Sequence, residues 1–427
     1  MEHKDKLFYG FLLLMISPVF SLIANIYNFR FKEARWLLVL FFGVFGMTMV
    51  VLPGKDAKVH TDSFSERYVS MDFHTFLRET QNIILFKSND VTGESQNDLY
   101  LHVLSYIGSI FSSNPAILIF LASLIYGYYY IRGINLVFKY IKPNKNFVLI
   151  IILFFFVLWK SIEGINSIRN WTAAWIFFNG SFSYFETKKL KYVGLVLIAP
   201  LIHFAYFLIT IPFFVILVLG NRPKIYLAFL LVSFFVNIEN VDVVREYLVQ
   251  TDLGSQKIGY IREGSSQDYL IEGGAESFHA KYYLAAAKLA LSILFYYAFT
   301  FMGYIYWKKH TYLMMSLASM GILMIAFSNV VTFSVTINNR VFTNGGLFAL
   351  AYLVLLYNDR LTKNQPMNAV GFNIATYLSL PLIGFFAFTQ LSQMGDFTDV
   401  RIFLSPVIYW VFQGDFPLKQ VLRNLIL

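Results

Sequence analysis

Residues 192–219 read YVGLVLIAPLIHFAYFLITIPFFVILVL, 28 residues without one Asp, Glu, Lys or Arg. A hydrocarbon core of ~30 Å takes roughly 20 apolar residues in helical form. Lipid offers no partner to an open backbone N–H or C=O, so a run of this kind is helical. Its length suits either one long tilted helix or two short legs. Pro200 and Pro212 interrupt it, with His203 between them. Two legs of about fourteen residues reach only ~21 Å each at 1.5 Å per residue. The flanks favour two legs: Lys188, Lys189 and Lys191 precede the run and Arg222 and Lys224 follow it. A hairpin with His203 near its tip keeps all five cations on one side.

Comparable runs recur at 7–29, 36–52, 99–131, 147–159, 170–185, 225–238, 282–307, 312–335, 341–357 and 369–391. Hydrophobic residues make up 57% of the 427 positions and charged ones 14%, with a mean hydropathy of +0.58. This composition excludes a water-soluble globule, and the short alternating segments of a membrane barrel are not seen. The expected fold is an all-α, polytopic membrane bundle of about 10–12 transmembrane helices, with short or re-entrant helices. It forms a single membrane domain, 1–427, with two long outer loops at 53–98 and 239–281. Residues 7–29 are too long for a cleavable signal and read as the first helix, with the N-terminus outside. The 46 Phe and 28 Tyr suit helix packing and headgroup anchoring. The absence of Cys removes disulfide and thiolate chemistry.

Six short loops are basic: Arg30, Lys32 and Arg35; Arg132, Lys139, Lys142 and Lys145; Lys188, Lys189 and Lys191; Arg222 and Lys224; Lys308 and Lys309; Arg360 and Lys363. Together they hold 16 bases and three acids, Glu33, Glu186 and Asp359. Segments 53–98 and 239–281 are acidic, with eight acids each against five and four bases. The positive-inside rule places the six basic loops in the cytoplasm and the long segments outside. The net charge of +9 is thereby a matter of topology and not of nucleic-acid binding. For all six loops to share a side, 99–131 must cross only once, so Leu99–Phe111 is expected to be interfacial or re-entrant, ahead of the Asn114-Pro115 break.

In this topology the ionisable residues near helix ends gather on the outer side: Lys160, Glu163, Arg169 with Asn170, His203, Lys288 and Arg340. Charges at such depth are costly and mark functional sites, unless they merely snorkel to the interface. Cations opening to one face suit an anionic group such as a lipid-linked pyrophosphate, for which arginine's fork of donors is well shaped.

Three stretches resemble the EpsG/Wzy-like family of bacterial polysaccharide polymerases. Thr61-Asp62-Ser63-Phe64-Ser65-Glu66-Arg67-Tyr68, followed by Gly93-Glu94, is similar to the family's acid-and-tyrosine loop. Arg169-Asn170-Trp171-Thr172-Ala173-Ala174 is similar to its Arg-polar-x-small-Ala helix start, followed by Ile202-His203-Phe204. Asn339-Arg340-Val341-Phe342 resembles its late Arg-initiated helix. The resemblance implies polymerisation of polyprenyl-pyrophosphate-linked oligosaccharide repeat units at the outer face of the bacterial inner membrane. Partners would be the lipid-linked substrate, the bilayer and a chain-length regulator. Arg169 and Arg340 would stabilise the leaving pyrophosphate, and His203, Asp62 or Glu94 would serve as base. Arg67, Tyr68, Asn170, Lys160, Glu163 and Lys288 would bind substrate. No metal or cofactor is called for, since His60, His74, His102 and His279 lack zinc-type spacing. The alternatives are another lipid-linked sugar transferase, such as an O-antigen ligase, and a flippase or transporter.

Overall fold

The computed structural model describes residues 3–53, 56–85, 98–142, 146–235, 246, 278–298, 311–332, 334–362, 369–406, 408 and 414–426. Among them there is no strand, only an isolated bridge between Asp399 and Pro417. The first part runs α1 (His3–Ile16), α2 (Pro18–Tyr27), α3 (Lys32–Thr48), α4 (Asp56–Ser63), α5 (Phe73–Ile84), α6 (Leu99–Phe111) and α7 (Ala116–Phe138). Next come α8 (Phe147–Trp159), α9 (Ile168–Thr187), α10 (Lys191–Ile202), α11 (Tyr206–Ile209), α12 (Ile211–Leu219) and α13 (Pro223–Ser233). Beyond these lie α14 (Phe278–Tyr297), α15 (Tyr312–Val330), α16 (Val335–Thr362), α17 (Ala369–Phe397) and α18 (Leu418–Ile426). Five helical runs are long and apolar enough to cross a membrane: α7, the stretch Phe147–Thr187, α15, α16 and residues Gly371–Phe397; five shorter apolar helices accompany them. The protein is an all-α polytopic membrane bundle.

Helix ends follow local chemistry. Asn146 accepts from the amides of Val148 (3.0 Å) and Leu149 (3.3 Å) to start α8, and Thr311 accepts from Met314 to start α15. Both side chains satisfy amides that the first turn leaves open. One expectation changes: the run 7–29 is two helices. Ser17 caps α2, Pro18 occupies its first turn, and the Ser17 hydroxyl donates to the Phe403 carbonyl at 2.8 Å. Gly10 lies against Leu37, five residues into α3, so α1 folds back beside α2 and does not extend it.

Contacts gather five of the six basic loops at one end of the bundle. Phe29 packs on Phe138 (5.2 Å), and Lys139 pairs with Glu186. Lys188 lies 3.1 Å from the Tyr312 ring centroid, Asn221 bonds Ser316 at 2.8 Å, and Asn358 bonds the Tyr140 carbonyl at 2.9 Å. Lys308 and Lys309, like Lys145 and Lys363, lie outside the described residues.

Residues 192–219 are a hairpin. α10 packs back along α9, the chain turns at His203–Ala205, and Phe213 of α12 reaches Tyr184 and Phe185 near the end of α9, both at 5.7 Å. Pro200 deprives α10 of a backbone donor just before the turn, and Pro212 stands in the first turn of α12, where no donor is needed. α6 and α7 form a second hairpin: Tyr100 reaches the Ala122 carbonyl at 3.5 Å, while Gly108 faces Ile117 and Leu118. From Ala122 to Ala116 is ~9 Å of helix rise, so this hairpin projects past the level of Asp98.

Without a hydrophobic drive between helices in lipid, close approach through small residues holds such bundles together. A Cβ at Gly127 of α7 would lie 2.5 Å from Phe42 Cβ and 2.7 Å from its Cγ. Those atoms sit next to the α3 backbone and cannot swing away. Gly127→Ala gains up to ~1 kcal/mol of helix propensity but overpacks at a cost of about 1–3 kcal/mol. The net expectation is a lower thermal midpoint in detergent; an unchanged or raised midpoint would show that α3 and α7 can part cheaply.

Candidate functional site

At the end of the bundle opposite the basic loops, Asp98 precedes α6 and is 7% exposed. One carboxylate oxygen pairs with Arg169 Nη1, and the other accepts the Phe204 amide at 3.1 Å. One side chain therefore ties the outer segment to the start of α9 and to the tip of the 192–219 hairpin. The rest of the cluster hangs on Tyr206, fully buried just beyond that tip. Its hydroxyl donates to the Asn170 carbonyl at 3.0 Å and accepts from Asn344 Nδ2 at 3.1 Å; the same nitrogen also donates to the Arg340 carbonyl at 2.8 Å. Arg169 and Arg340, 171 residues apart in sequence, thus belong to one hydrogen-bonded constellation at one end of the bundle.

Two lysines complete it. Lys288 donates to Asn339, beside Arg340, at 2.7 Å and lies over the Phe342 ring. Lys160, at the end of α8, stands 3.7 Å from the Trp171 ring centroid, while Trp159 bonds the Thr343 carbonyl at 2.8 Å. Both lysines line one crevice with Trp159, Phe342, Thr343 and Phe386. Glu163, half-buried on the 3₁₀ turn Ile162–Ser167, acts electrostatically on Lys160. The crevice holds only about 10 Å³ of open volume, far below the roughly 300–1,000 Å³ of ordinary ligand pockets. That is room for about one water, so a headgroup entering here must part the lining side chains.

Other expected residues lie elsewhere. Asp62 is half-exposed and pairs with Lys58 at 2.5 Å. Arg67 pairs with Glu79 at 2.5 Å, and Tyr68, 1% exposed, bonds His102 Nδ1 at 2.9 Å. Both therefore serve an internal staple in which His102 also meets Thr80 at 3.1 Å and stacks on Phe76. Glu94 lies outside the described residues, as does nearly all of 239–281. His203 is buried, and its Nδ1 accepts the Ala205 amide at 3.1 Å. In the neutral ring so assigned Nε2 carries the hydrogen. Bonded in this way, the ring does not offer Nε2 as a base.

The sequence reading passed over Asp98 and His60. On α4, residues 56 and 60 share one face and 58 and 62 another, as a 3.6-residue period requires. The Asp56 side chain accepts from Ser167 at 3.2 Å, and Arg169 acts on His60. His60 Nε2 is buried without a hydrogen-bond partner. Burial first, then the positive charge of Arg169, lowers the His60 pKa to about 4, against a smaller opposing pull from Asp56. The unfolded chain binds this proton near pH 6.5 and the folded chain only near 4. Acidification through that window therefore favours the unfolded chain. Unfolding in detergent between pH 7 and 4 is expected to show stability falling as pH falls, with a shallower fall in His60→Gln. Parallel profiles would mean that His60 is not held neutral.

No family model, curated protein or solved structure matches this chain. The arrangement itself therefore bears the functional reading.

Proposed function

We propose that this chain joins polyprenyl-pyrophosphate-linked oligosaccharide repeat units, as a glycosyltransferase-type polymerase at the outer face of the bacterial inner membrane. The observation that carries this reading is the convergence of Arg169, Arg340, Lys160 and Lys288, from separate segments, at the end opposite the basic loops. An acceptor hydroxyl oxygen attacks the anomeric carbon of the donor glycan. The bond from that carbon to the pyrophosphate oxygen breaks, and the pyrophosphate leaves with the electron pair. Arg340 and the two lysines stabilise the growing negative charge, as preorganised cations do in a site shielded from water. The hydroxyl proton passes to a base, for which His60 is the best placed, being neutral at pH 7 and beside Arg169. Lys160, Arg169 and Arg340 stand at or near helix ends, and not midway along the helices where transporters hold their ligands, which favours an enzyme over a flippase.

The test is reconstitution of the purified protein in liposomes with lipid-linked repeat units. A polymerase yields a ladder of longer lipid-linked glycans. A ligase moves glycan to a different acceptor without lengthening it, and a flippase changes only sidedness. Either of the latter results, or no product beside an active control polymerase, rejects the reading.

A further inference from the structure

At the opposite, basic end, a groove runs between the start of α3 and the last turns of α7. Lys32, Arg35, Arg132 and Asn135 line it together with Trp36 and Tyr128, and no carboxylate does. Its cavity of about 140 Å³ is smaller than the roughly 300–1,000 Å³ of sites that enclose a whole ligand, and has room for a phosphate head with the rest of the molecule outside. Arg35 is held in place by bonds to the carbonyls of Phe29 (3.1 Å) and Arg30 (2.9 Å). The first turn of α3 lacks a side-chain cap, so its open amides add positive potential.

The order of residues along the groove tells what it fits. α3 and α7 pass each other in opposite directions: Phe29, ahead of α3, meets Phe138 at the end of α7, while Gly46 meets Ser123 further along. Trp36 lies one turn beyond Lys32 into the bundle, and Tyr128 one turn beyond Arg132, a step of ~6 Å on each helix. The two aromatic rings stack at 5.7 Å and remain exposed, Trp36 at 47%. Both walls thus pass from cation to aromatic within one turn, toward the middle of the helices. A free phosphate would use only the cations. A molecule with a phosphate head and an apolar tail uses both levels, and exposed Trp and Tyr belong at the headgroup boundary. We infer that this groove is a specific site for one anionic phospholipid, of the kind basic pockets between membrane helices recognise. It is independent of the polymerase reading: it shares no lining residue with the lysine crevice, and its α7 wall lies level with Asn179, which bonds the Tyr129 carbonyl ten residues, ~15 Å, along α9 from Arg169.

The test uses the full-length protein in neutral detergent, titrated with phosphatidylglycerol, phosphatidylcholine or inorganic phosphate. Bound lipid is counted by native mass spectrometry and the thermal midpoint is recorded. Phosphatidylglycerol alone is expected to bind at one saturable site and raise the midpoint. Lys32→Gln/Arg132→Gln should weaken that binding about 30-fold, as two charge contacts near a membrane surface are worth. Lys189→Gln/Lys191→Gln removes the same charge at the same end and should leave binding unchanged. Should the first variant fail to fold, brominated phosphatidylglycerol replaces it as the probe: fluorescence quenching is expected in the wild type and largely lost in Trp36→Phe. The inference is overturned if phosphatidylcholine binds as well, if inorganic phosphate reproduces the midpoint rise, or if both charge variants weaken binding equally. Quenching that persists in Trp36→Phe overturns it too.

Discussion

Arg340→Ala is expected to slow repeat-unit joining by about 100- to 1,000-fold at normal protein level in the membrane. That is the loss seen when one preorganised donor to a developing anion is removed, about 2.7–4 kcal/mol. Arg340 is the cleaner of the two arginines to test. Its contribution to the Asn344–Tyr206 network is its backbone carbonyl, which alanine retains. The substitution therefore removes the side chain and leaves the Tyr206 link to Asn170 standing. Arg340→Lys keeps the charge without the planar fork and is expected to recover part of the rate. The measurement is the length distribution of lipid-linked product in liposomes over time. An Arg340→Ala protein that makes normal ladders at the normal rate removes this arginine from the reaction.

Arg169 also has a structural role, since its guanidinium pairs with Asp98. Asp98→Ala and Arg169→Ala are each expected to cost roughly 3 kcal/mol of stability, the low end for breaking a buried pair, since the Arg169 side chain is 25% exposed. Asp98→Ala also strips the Phe204 amide of its acceptor. The double variant should cost little more than either single one, because each single change leaves one charge stranded while the double change strands none. Unfolding of all four proteins in one detergent gives the coupling, expected at about 2 kcal/mol or more, within the range for groups in direct contact. Strict additivity would show that the pair does not hold the outer segment to α9. A fall in Arg169→Ala activity must then be read against this stability loss.

Much of the architecture is legible along the chain because hydropathy and loop charge are local quantities. The hairpin over 192–219 follows from two prolines and from cations at both flanks, and the structure folds it with His203 at the turn. The break at Ser17 was legible too: serine followed by proline is a capping residue before a first-turn proline. A long apolar run hid it. The choice between His60 and Asp62 was not legible. Both lie on α4, and only packing decides that Ala57 and Thr61 turn inward while the flanking face with 56 and 60 meets Ser167 and Arg169 at the start of α9. Arg67 and Tyr68 mislead for a related reason. Their partners Glu79 and His102 lie 12 and 34 residues away, and no local pattern announces a pair at that separation.

By itself, then, the order of amino acids determined that this chain is a helical membrane protein whose short basic loops share a side, as the five loops among the described residues do. Lipid penalises open backbone and buried charge residue by residue, so those constraints are written along the chain. Only the tertiary structure decided that Asp98 holds Arg169, that Tyr206 links Asn170 to the Arg340 segment, and that Lys160 and Lys288 share one crevice. These contacts join residues 36 to 138 positions apart. Their existence depends on which helices become neighbours, and that is settled by side-chain fit across the whole bundle.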